Sequence, residues 1–277
     1  DFCYTGNFTE RGIKGVHGYM TEYVVDDEKY MNVVPPSLRD VAVLLEPLTI
    51  TEKAVLEACT IQNRLPAEKP LTRDSLARTC RKALVLGAGP VGFLAAMTFV
   101  NIGIRTWVVA RHPKPNSKAD LLARIGADYL ATSTQSPQDM AGAIGDVDLI
   151  LEATGAAQAS FDFLQILGTN GMFIFTGVPA PLKDITLDAG TLMRHLVLKN
   201  QVALGTVNAP RQAFQNGIRD LSDFMAKWPQ PLQSLITDRV PLDQIDSVVS
   251  GRQKEDIKTV LDVSPVSALA FGMPASA

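Results

Sequence analysis

Cysteine is scarce in this chain. Its 277 residues hold three, Cys3, Cys59 and Cys80, too scattered for a disulfide framework. That excludes a stapled secreted scaffold and points to a reducing, cytoplasmic setting. Histidine is equally sparse: His17, His112 and His195 lie far apart with no HExxH-like spacing, so no metal site follows from them. The excess of positive charge that broad nucleic-acid or anionic-membrane binding requires is missing too, with 26 Lys and Arg against 29 Asp and Glu and a net charge of −3. No uncharged apolar run reaches the ~18 residues of a membrane-spanning helix. A GxSxG elbow is absent, which argues against an α/β-hydrolase. The N-terminus carries no signal-peptide pattern and no Met, and opens on Asp-Phe-Cys as if cut from something longer.

What is present is apolar substance, 46% of the residues, enough to pack one large or two ordinary domains. Its most informative stretch is ALVLGAGPVGFLAAMTFVNIGIRTWVVARH at 83–112. A strand-like run, Ala83 to Leu86, enters Gly87-Ala88-Gly89-Pro90-Val91-Gly92; an apolar helical run follows, then a second strand-like run, Thr106 to Ala110. That order of parts binds the pyrophosphate of a dinucleotide. Gly87 makes the tight turn, Gly89 lets the backbone approach the phosphates, and Gly92 lets helix and strand pack closely. The helix N-terminus then offers unpaired N–H groups and the positive end of its dipole to the anion.

The end of the second strand refines the cofactor. NAD-binding units place an acid there, about twenty residues on, for the ribose 2′-OH. This chain has Arg111 and His112, then Pro113 and Lys114, and no acid before Asp120. A guanidinium pairs with a 2′-phosphate that a carboxylate would repel. The pattern favours NADP over NAD, with use of NAD as the alternative.

Further along, strands and helices alternate. Helical runs are expected at Lys118–Ile125, Gln138–Ile144 and Ala159–Leu167, and strands at Tyr129–Ala131, Asp148–Glu152, Gly171–Gly177 and Val197–Thr206. The β-α-β-α rhythm predicts an α/β fold with a doubly wound parallel sheet, its ligand crevice at the carboxyl ends of the strands. Cofactor candidates are therefore Thr154 after one strand, Thr176, Gly177 and Val178 after the next, and Thr206, Val207 and Asn208 after the last. Before the glycine turn, residues 18–34 read as two short β segments around the polar turn Asp26–Lys29, Thr51 as the cap of a helix, and Leu65 to Arg81 as a loop. After it, residues 209–228 form an amphipathic helix with Phe214, Ile218, Leu221, Met225 and Trp228 on one stripe. A strand, a short helix and a closing strand at Ile257–Val263 follow.

The sequence of parts resembles the medium-chain dehydrogenase/reductase superfamily, and within it the zinc-dependent glucose 1-dehydrogenases of archaeal type. The stretches that carry the resemblance are DFCYTGNFTERGIKG (1–15), GYMTEY (18–23), LLEPLTITEKAV (44–55), GAGPVG (87–92), ATGA (153–156) and LGTVN (204–208). It implies a remnant of a β-rich, GroES-like catalytic domain over 1–78, a Rossmann domain over 79–208, a C-terminal return to the catalytic domain over 209–264 and a disordered tail over 265–277. It also implies a segment ahead of Asp1 that holds most of the zinc ligands.

From the resemblance, Glu46 is the expected catalytic residue, facing zinc and sugar; Glu10 and Asn208 are further substrate contacts, and Lys258 is a base near the cofactor phosphates. Cys3 looks like the last cysteine of a structural zinc lobe, which one thiolate cannot complete. Where relatives offer a sugar-binding Asp after the Glu-Pro pair, this chain has Ile50. The implied activity is oxidation of glucose or a related aldose at C1 to the lactone, with hydride passing to NADP and zinc assisting in the full-length protein. The chain itself is expected to bind NADP without turning over sugar. Alternatives are another zinc-dependent polyol or alcohol dehydrogenase, and a non-catalytic NADP-binding module. A homo-oligomer, dimer or tetramer, is expected.

Overall fold

The computed structural model of the chain describes residues 3–250 and 256–263. The tail expected at 265–277 lies outside the described residues. In chain order the elements are β1 (Glu10–Arg11), β2 (Gly15–Val16), α1 (Leu45–Gln62), β3 (Lys82–Leu86), α2 (Pro90–Asn101), β4 (Arg105–Ala110), α3 (Ser117–Ile125), β5 (Asp128–Ala131) and α4 (Pro137–Ile144). There follow β6 (Val147–Glu152), α5 (Ala157–Leu164), β7 (Leu167–Phe175), α6 (Ala189–Leu198), β8 (Val202–Gly205), α7 (Arg211–Lys227), α8 (Pro229–Gln233), β9 (Ile236–Pro241), α9 (Ile245–Ser250) and β10 (Lys258–Asp262). They form two compact units, one of residues 34–235 and the other of the segments that precede and follow it. No described helix is long and apolar enough to cross a membrane.

The larger unit is built on six parallel strands in the order β5-β4-β3-β6-β7-β8. The chain leaves β3 outward to β5, then returns to β6 on the other side, so the order reverses between β3 and β6. This is the doubly wound sheet expected from the alternating pattern. Strands buried on both faces read as continuous apolar runs; in β3, Ala83, Leu84, Val85 and Leu86 are all buried. On one face, α2 is apolar nearly all round because it packs against α1, α7 and the sheet together. Its Phe93, Leu94, Met97 and Phe99 are fully enclosed, each stabilising the unit by about 1.5–3 kcal/mol. On the other face Phe163, Leu164, Phe173 and Leu192 close the core.

Several local expectations need correction. Thr51 caps nothing: α1 begins six residues earlier, at Leu45, after a 3-10 stretch at Pro36–Leu44, and Thr51 is buried inside it. Burial of Leu45 and Leu48 outweighs the cap signal, while Pro47 fits the first turn, where a missing N–H costs nothing. Leu65 to Arg81 is not all loop, since Thr72 and Ser75 form a capping box on a 3-10 turn, Arg73–Arg78. Residues 197 and 198 end α6 instead of opening the last strand, and Leu167 begins β7 instead of ending a helix. The buried stripe of α7 is Ala213, Gly217, Asp220, Leu221 and Phe224; it shares Leu221 with the expected stripe, while Phe214, Ile218, Met225 and Trp228 are half-buried beside it. Small residues decide this contact: a Cβ on Gly217 would lie 2.8 Å from Leu45 Cδ1, so glycine lets α7 press onto α1.

Between these helices lies a buried ion cluster. Arg73 donates through Nε to Glu52 Oε2 at 3.1 Å and through Nη2 to Asp220 Oδ1. Glu52 and Asp220 are wholly buried, and Asp220 Oδ2 has no hydrogen-bond partner. Burial, and then repulsion from Asp220, push the Glu52 carboxyl up to about 8 from an ordinary 4.5. Because the folded value exceeds the unfolded one, the group's stabilisation is complete below about 4.5 and disappears as pH rises toward about 8. We expect the melting temperature to fall by roughly 5 °C or more between the two ends of that window. The fall should be smaller in Glu52→Gln, as scanning calorimetry of both proteins would show; identical slopes would refute the assignment.

The second unit carries two small sheets of two strands each. β1 and β2 pair with each other, as do β9 and β10. Residues 18–34 form no strand, contrary to expectation. They are held instead by Asp26, which accepts from Arg11 Nε and Tyr19 Oη at 2.6 Å each, and by a 3-10 turn at Glu28–Tyr30 capped by Asp27. Alternating apolar residues form a strand only against a partner that buries one face, and Tyr23, Val25 and Val33 are exposed here.

Candidate functional site

The register of the sheet gathers the site. Leu86 pairs with Val109 and with Glu152, Glu152 with Phe175, and Phe175 with Gly205. The strands therefore end together, and the loops that begin at Gly87, Arg111, Ala153, Thr176 and Thr206 line one edge. Of the predicted cofactor residues, all but Lys258 lie in these loops or in the first turn of α2.

The glycine turn is sterically obligatory at two positions. Gly87 has φ +111°, and a Cβ there would meet Thr154 Cγ2 at 2.8 Å. A Cβ on Gly92 would lie 1.8 Å from the Gly87 carbonyl oxygen. Gly89 differs: a Cβ there meets nothing within 4 Å, so its α-carbon faces open space. It is also the N-cap of α2, with Pro90 next and no side-chain cap on the helix amides. Residues 87–92 thus leave a cradle with backbone donors aimed at it, which fits a pyrophosphate.

One buried side chain ties this edge together, and the sequence patterns did not single it out. Glu152, the last residue of β6, is 1% exposed. Its Oε1 accepts from the Thr154 amide, from Thr154 Oγ1 at 2.6 Å and from the Gly155 amide at 2.8 Å; its Oε2 accepts from the Gly177 amide at 3.2 Å. The Glu152 carbonyl receives the amide and hydroxyl of Thr176 at 3.0 and 2.6 Å. The only signal in the sequence was an acid at the end of an otherwise apolar strand.

At the end of β4, Arg111 and His112 are exposed, and their carbonyls anchor the loop. Arg111 O accepts from the Ser133 amide at 3.2 Å, and His112 O from Tyr129 Oη at 2.6 Å. The backbone is pinned while the guanidinium is left in solvent, where a 2′-phosphate could reach it. Past β8, Thr206 donates its amide to Phe175 O at 3.0 Å, and Asn208 takes a left-handed φ of 60°. Lys53, buried on α1, donates to Val207 O at 2.9 Å and so fixes this loop to the helix that carries Glu46. Glu46 sits in the first turn of α1, exposed, where the helix dipole favours an acid. Ile50, one turn on, is half-buried.

A family model described as "Glucose dehydrogenase C-terminus" matches residues 39–263. Glucose 1-dehydrogenase 1 of Caldivirga maquilingensis is 36% identical over 96% of this chain and 71% of its own length. The chain belongs to the glucose dehydrogenase family. Glucose 1-dehydrogenase of Methanocella arvoryzae is 34% identical over 95% of the chain and 70% of its own length. Among solved structures, Haloferax mediterranei glucose dehydrogenase in complex with NADP, Zn and gluconolactone superposes with a TM-score of 0.83 at 29% identity. That alignment covers 96% of this chain and 71% of the other. The family and the doubly wound fold are those that the sequence motifs implied.

The other residues that the family reading names, Glu10 in β1, Cys3, and Lys258 in β10, belong to the smaller unit. Cys3 Sγ lies 3.1 Å from Thr5 Oγ1, and that hydrogen bond lowers its pKa from the usual thiol value. A zinc site takes four N, S or O ligands. Among the described residues no three His, Cys, Asp or Glu side chains are grouped to hold a metal. Glu46 and Cys3 therefore do not make one by themselves, and a zinc ion in this glucose dehydrogenase homologue needs ligands beyond them. Of the histidines, His17 is exposed and His195 half-buried on α6.

Proposed function

We propose that the protein is an NADP-dependent sugar dehydrogenase that oxidises the C1 hydroxyl of glucose or a related aldose to the lactone, with zinc assisting in the full-length protein. The carrying observation is the aligned strand-end edge: an open glycine cradle at 87–92, and Arg111 where an NAD enzyme has an acid. NADP, when bound, accepts the hydride at C4 of its nicotinamide. The chain's part is to bind and orient. The amides that open α2 take the pyrophosphate, and Arg111, with His112 beside it, takes the 2′-phosphate. The loops at Thr154, at Thr176–Val178 and at Thr206–Asn208 hold the nicotinamide half. Asn208 and Glu46 face the sugar, with Glu10 as a further contact, and Lys258 supports the cofactor phosphates. Among the described residues no zinc ligand set is assembled, so bound zinc would draw on Glu46 together with other donors and would polarise the C1 oxygen.

The relative solved with gluconolactone favours an aldose substrate. Ile50, in place of a sugar-binding acid, favours a second reading, a polyol dehydrogenase of the same family. Rates with glucose against butanediol, in protein with a complete zinc site, separate the two. A homo-oligomer in the cytoplasm accompanies either reading. The first test is Arg111→Ala. Losing a charge-assisted contact of ~1.5–3 kcal/mol should raise the dissociation constant for NADP+ about 10- to 100-fold while leaving that for NAD+ within about twofold. Calorimetric titration that finds both cofactors bound as before would reject the assignment of Arg111. Titration in which the wild-type chain takes up neither would reject the function.

A further inference from the structure

We infer that Glu152 is a positioning residue for the nicotinamide half of the cofactor, acting through the loops it joins. The inference rests on the dinucleotide reading above and deepens it. In a doubly wound sheet the two mononucleotide halves lie either side of the point where strand order reverses. Here that point falls between β3 and β6. Arg111 marks the adenosine half on the β4 side, so the nicotinamide half falls to the loops after β6, β7 and β8.

Two of those loops have no conformation independent of Glu152. Its carboxylate is buried, and none of the four donors it accepts is a cationic side chain. All four belong to the loops: three to Thr154 and Gly155, one to Gly177. Acid placed without a cation and spent wholly on loop donors shapes the edge. It does not serve a fold-wide ion-pair network of the kind Arg73 makes. The two loops also touch without slack. A Cβ on Gly177 would come within 2.3 Å of the Gly155 nitrogen and 2.7 Å of Glu152 Oε2, and one on Gly155 within 2.8 Å of Val178 O. The first loop in turn abuts the pyrophosphate turn, where Ala153 O and Thr154 Cγ2 crowd Gly87. Glu152 therefore sets the spacing between the pyrophosphate turn and the wall against which the nicotinamide ribose must rest.

Glutamine keeps the shape of this side chain but has one acceptor oxygen. If that oxygen serves Thr154 and Gly155, its amide nitrogen meets the Gly177 N–H, donor against donor, and the staple opens. In Glu152→Gln the dissociation constant for NADP+ should rise about 10- to 100-fold, the range for a lost hydrogen bond to a charged group. Adenosine 2′,5′-bisphosphate, which carries only the other half, should bind within about twofold of wild type. Hydrogen exchange should show the Gly177 amide losing protection with no cofactor present. Thr154→Val removes one donor to Glu152 and the acceptor of the Ala156 amide. It should show the same selectivity at about threefold, and loss of Gly177 protection in this variant without cofactor, where no direct contact with the ligand can act, decides the matter if Glu152→Gln does not fold. Unchanged NADP+ binding overturns the inference, as does an equal loss for both ligands, which would mark a merely structural role. Wild-type protein that binds neither ligand overturns the dinucleotide reading and this inference together.

Discussion

Alanine at Gly92 is expected to abolish tight binding of NADP+. The added carbon would lie 1.8 Å from the Gly87 carbonyl oxygen and 2.9 Å from its carbon, and both are backbone atoms that no rotamer change can move aside. Either α2 shifts away from β3 or the turn reopens at Gly87, whose φ of +111° is already outside the range of other residues. Both outcomes displace the helix amides proposed to hold the pyrophosphate. The dissociation constant should rise on the order of 100-fold, about 2.7 kcal/mol. The same overlap should destabilise the larger unit by about 1–3 kcal/mol, since α2 lies in its core. Gly89→Ala is the control: its Cβ meets nothing in the protein, so stability should be kept and any lost affinity reports the approach of the ligand itself. Calorimetric titration and thermal melts of both variants test this. G92A binding NADP+ like wild type would remove the glycine turn from the site.

A second large effect is expected at Arg73. Arg73→Met leaves the fully buried Asp220 carboxylate without its cation, beside a Glu52 carboxyl that burial already holds protonated near neutral pH. Removing one partner of a buried ion cluster costs about 3–5 kcal/mol, a large share of a domain's net stability. Neutralising all three, in Arg73→Met with Glu52→Gln and Asp220→Asn, should recover most of the loss, because the cost comes from the uncompensated charge and not from lost packing. Urea unfolding of the three proteins measures it. A single variant as stable as wild type would show that the cluster contributes nothing. The two sites separate cleanly: R73M should alter the NADP+ affinity of the remaining folded protein by less than about twofold.

The nucleotide half of the fold was legible because its signals are local. Within thirty residues the glycine spacing, the apolar runs on either side and the base after β4 all point to one structure, and local agreement of that kind survives tertiary context. Boundaries failed where burial overrode a local cue. Thr51 has the chemistry of a cap yet is enclosed in α1, and α7 buries Ala213 and Gly217 along with Leu221 and Phe224, while Phe214, Ile218, Met225 and Trp228 are only half-buried. Residues 18–34 failed for a related reason: alternation alone makes no strand without a neighbour to pair with. Glu10, Glu46, Lys258 and Cys3 carry no local pattern at all, and only the family resemblance singled them out.

From its sequence alone this chain was determined to be a doubly wound α/β protein of the glucose dehydrogenase family, with a strand–glycine turn–helix unit at 83–101 and a base at 111. Those are properties of neighbours along the chain, where residue spacing sets geometry directly. Only the tertiary structure decided what holds the edge and the core. Gly177 lies 25 residues from Glu152, and Asp220 lies 147 from Arg73. No periodicity links residues at such separations. A buried acid and an exposed one look alike in a sequence, and only the closing of the sheet and of α1 on α7 removes the water that would make them equivalent.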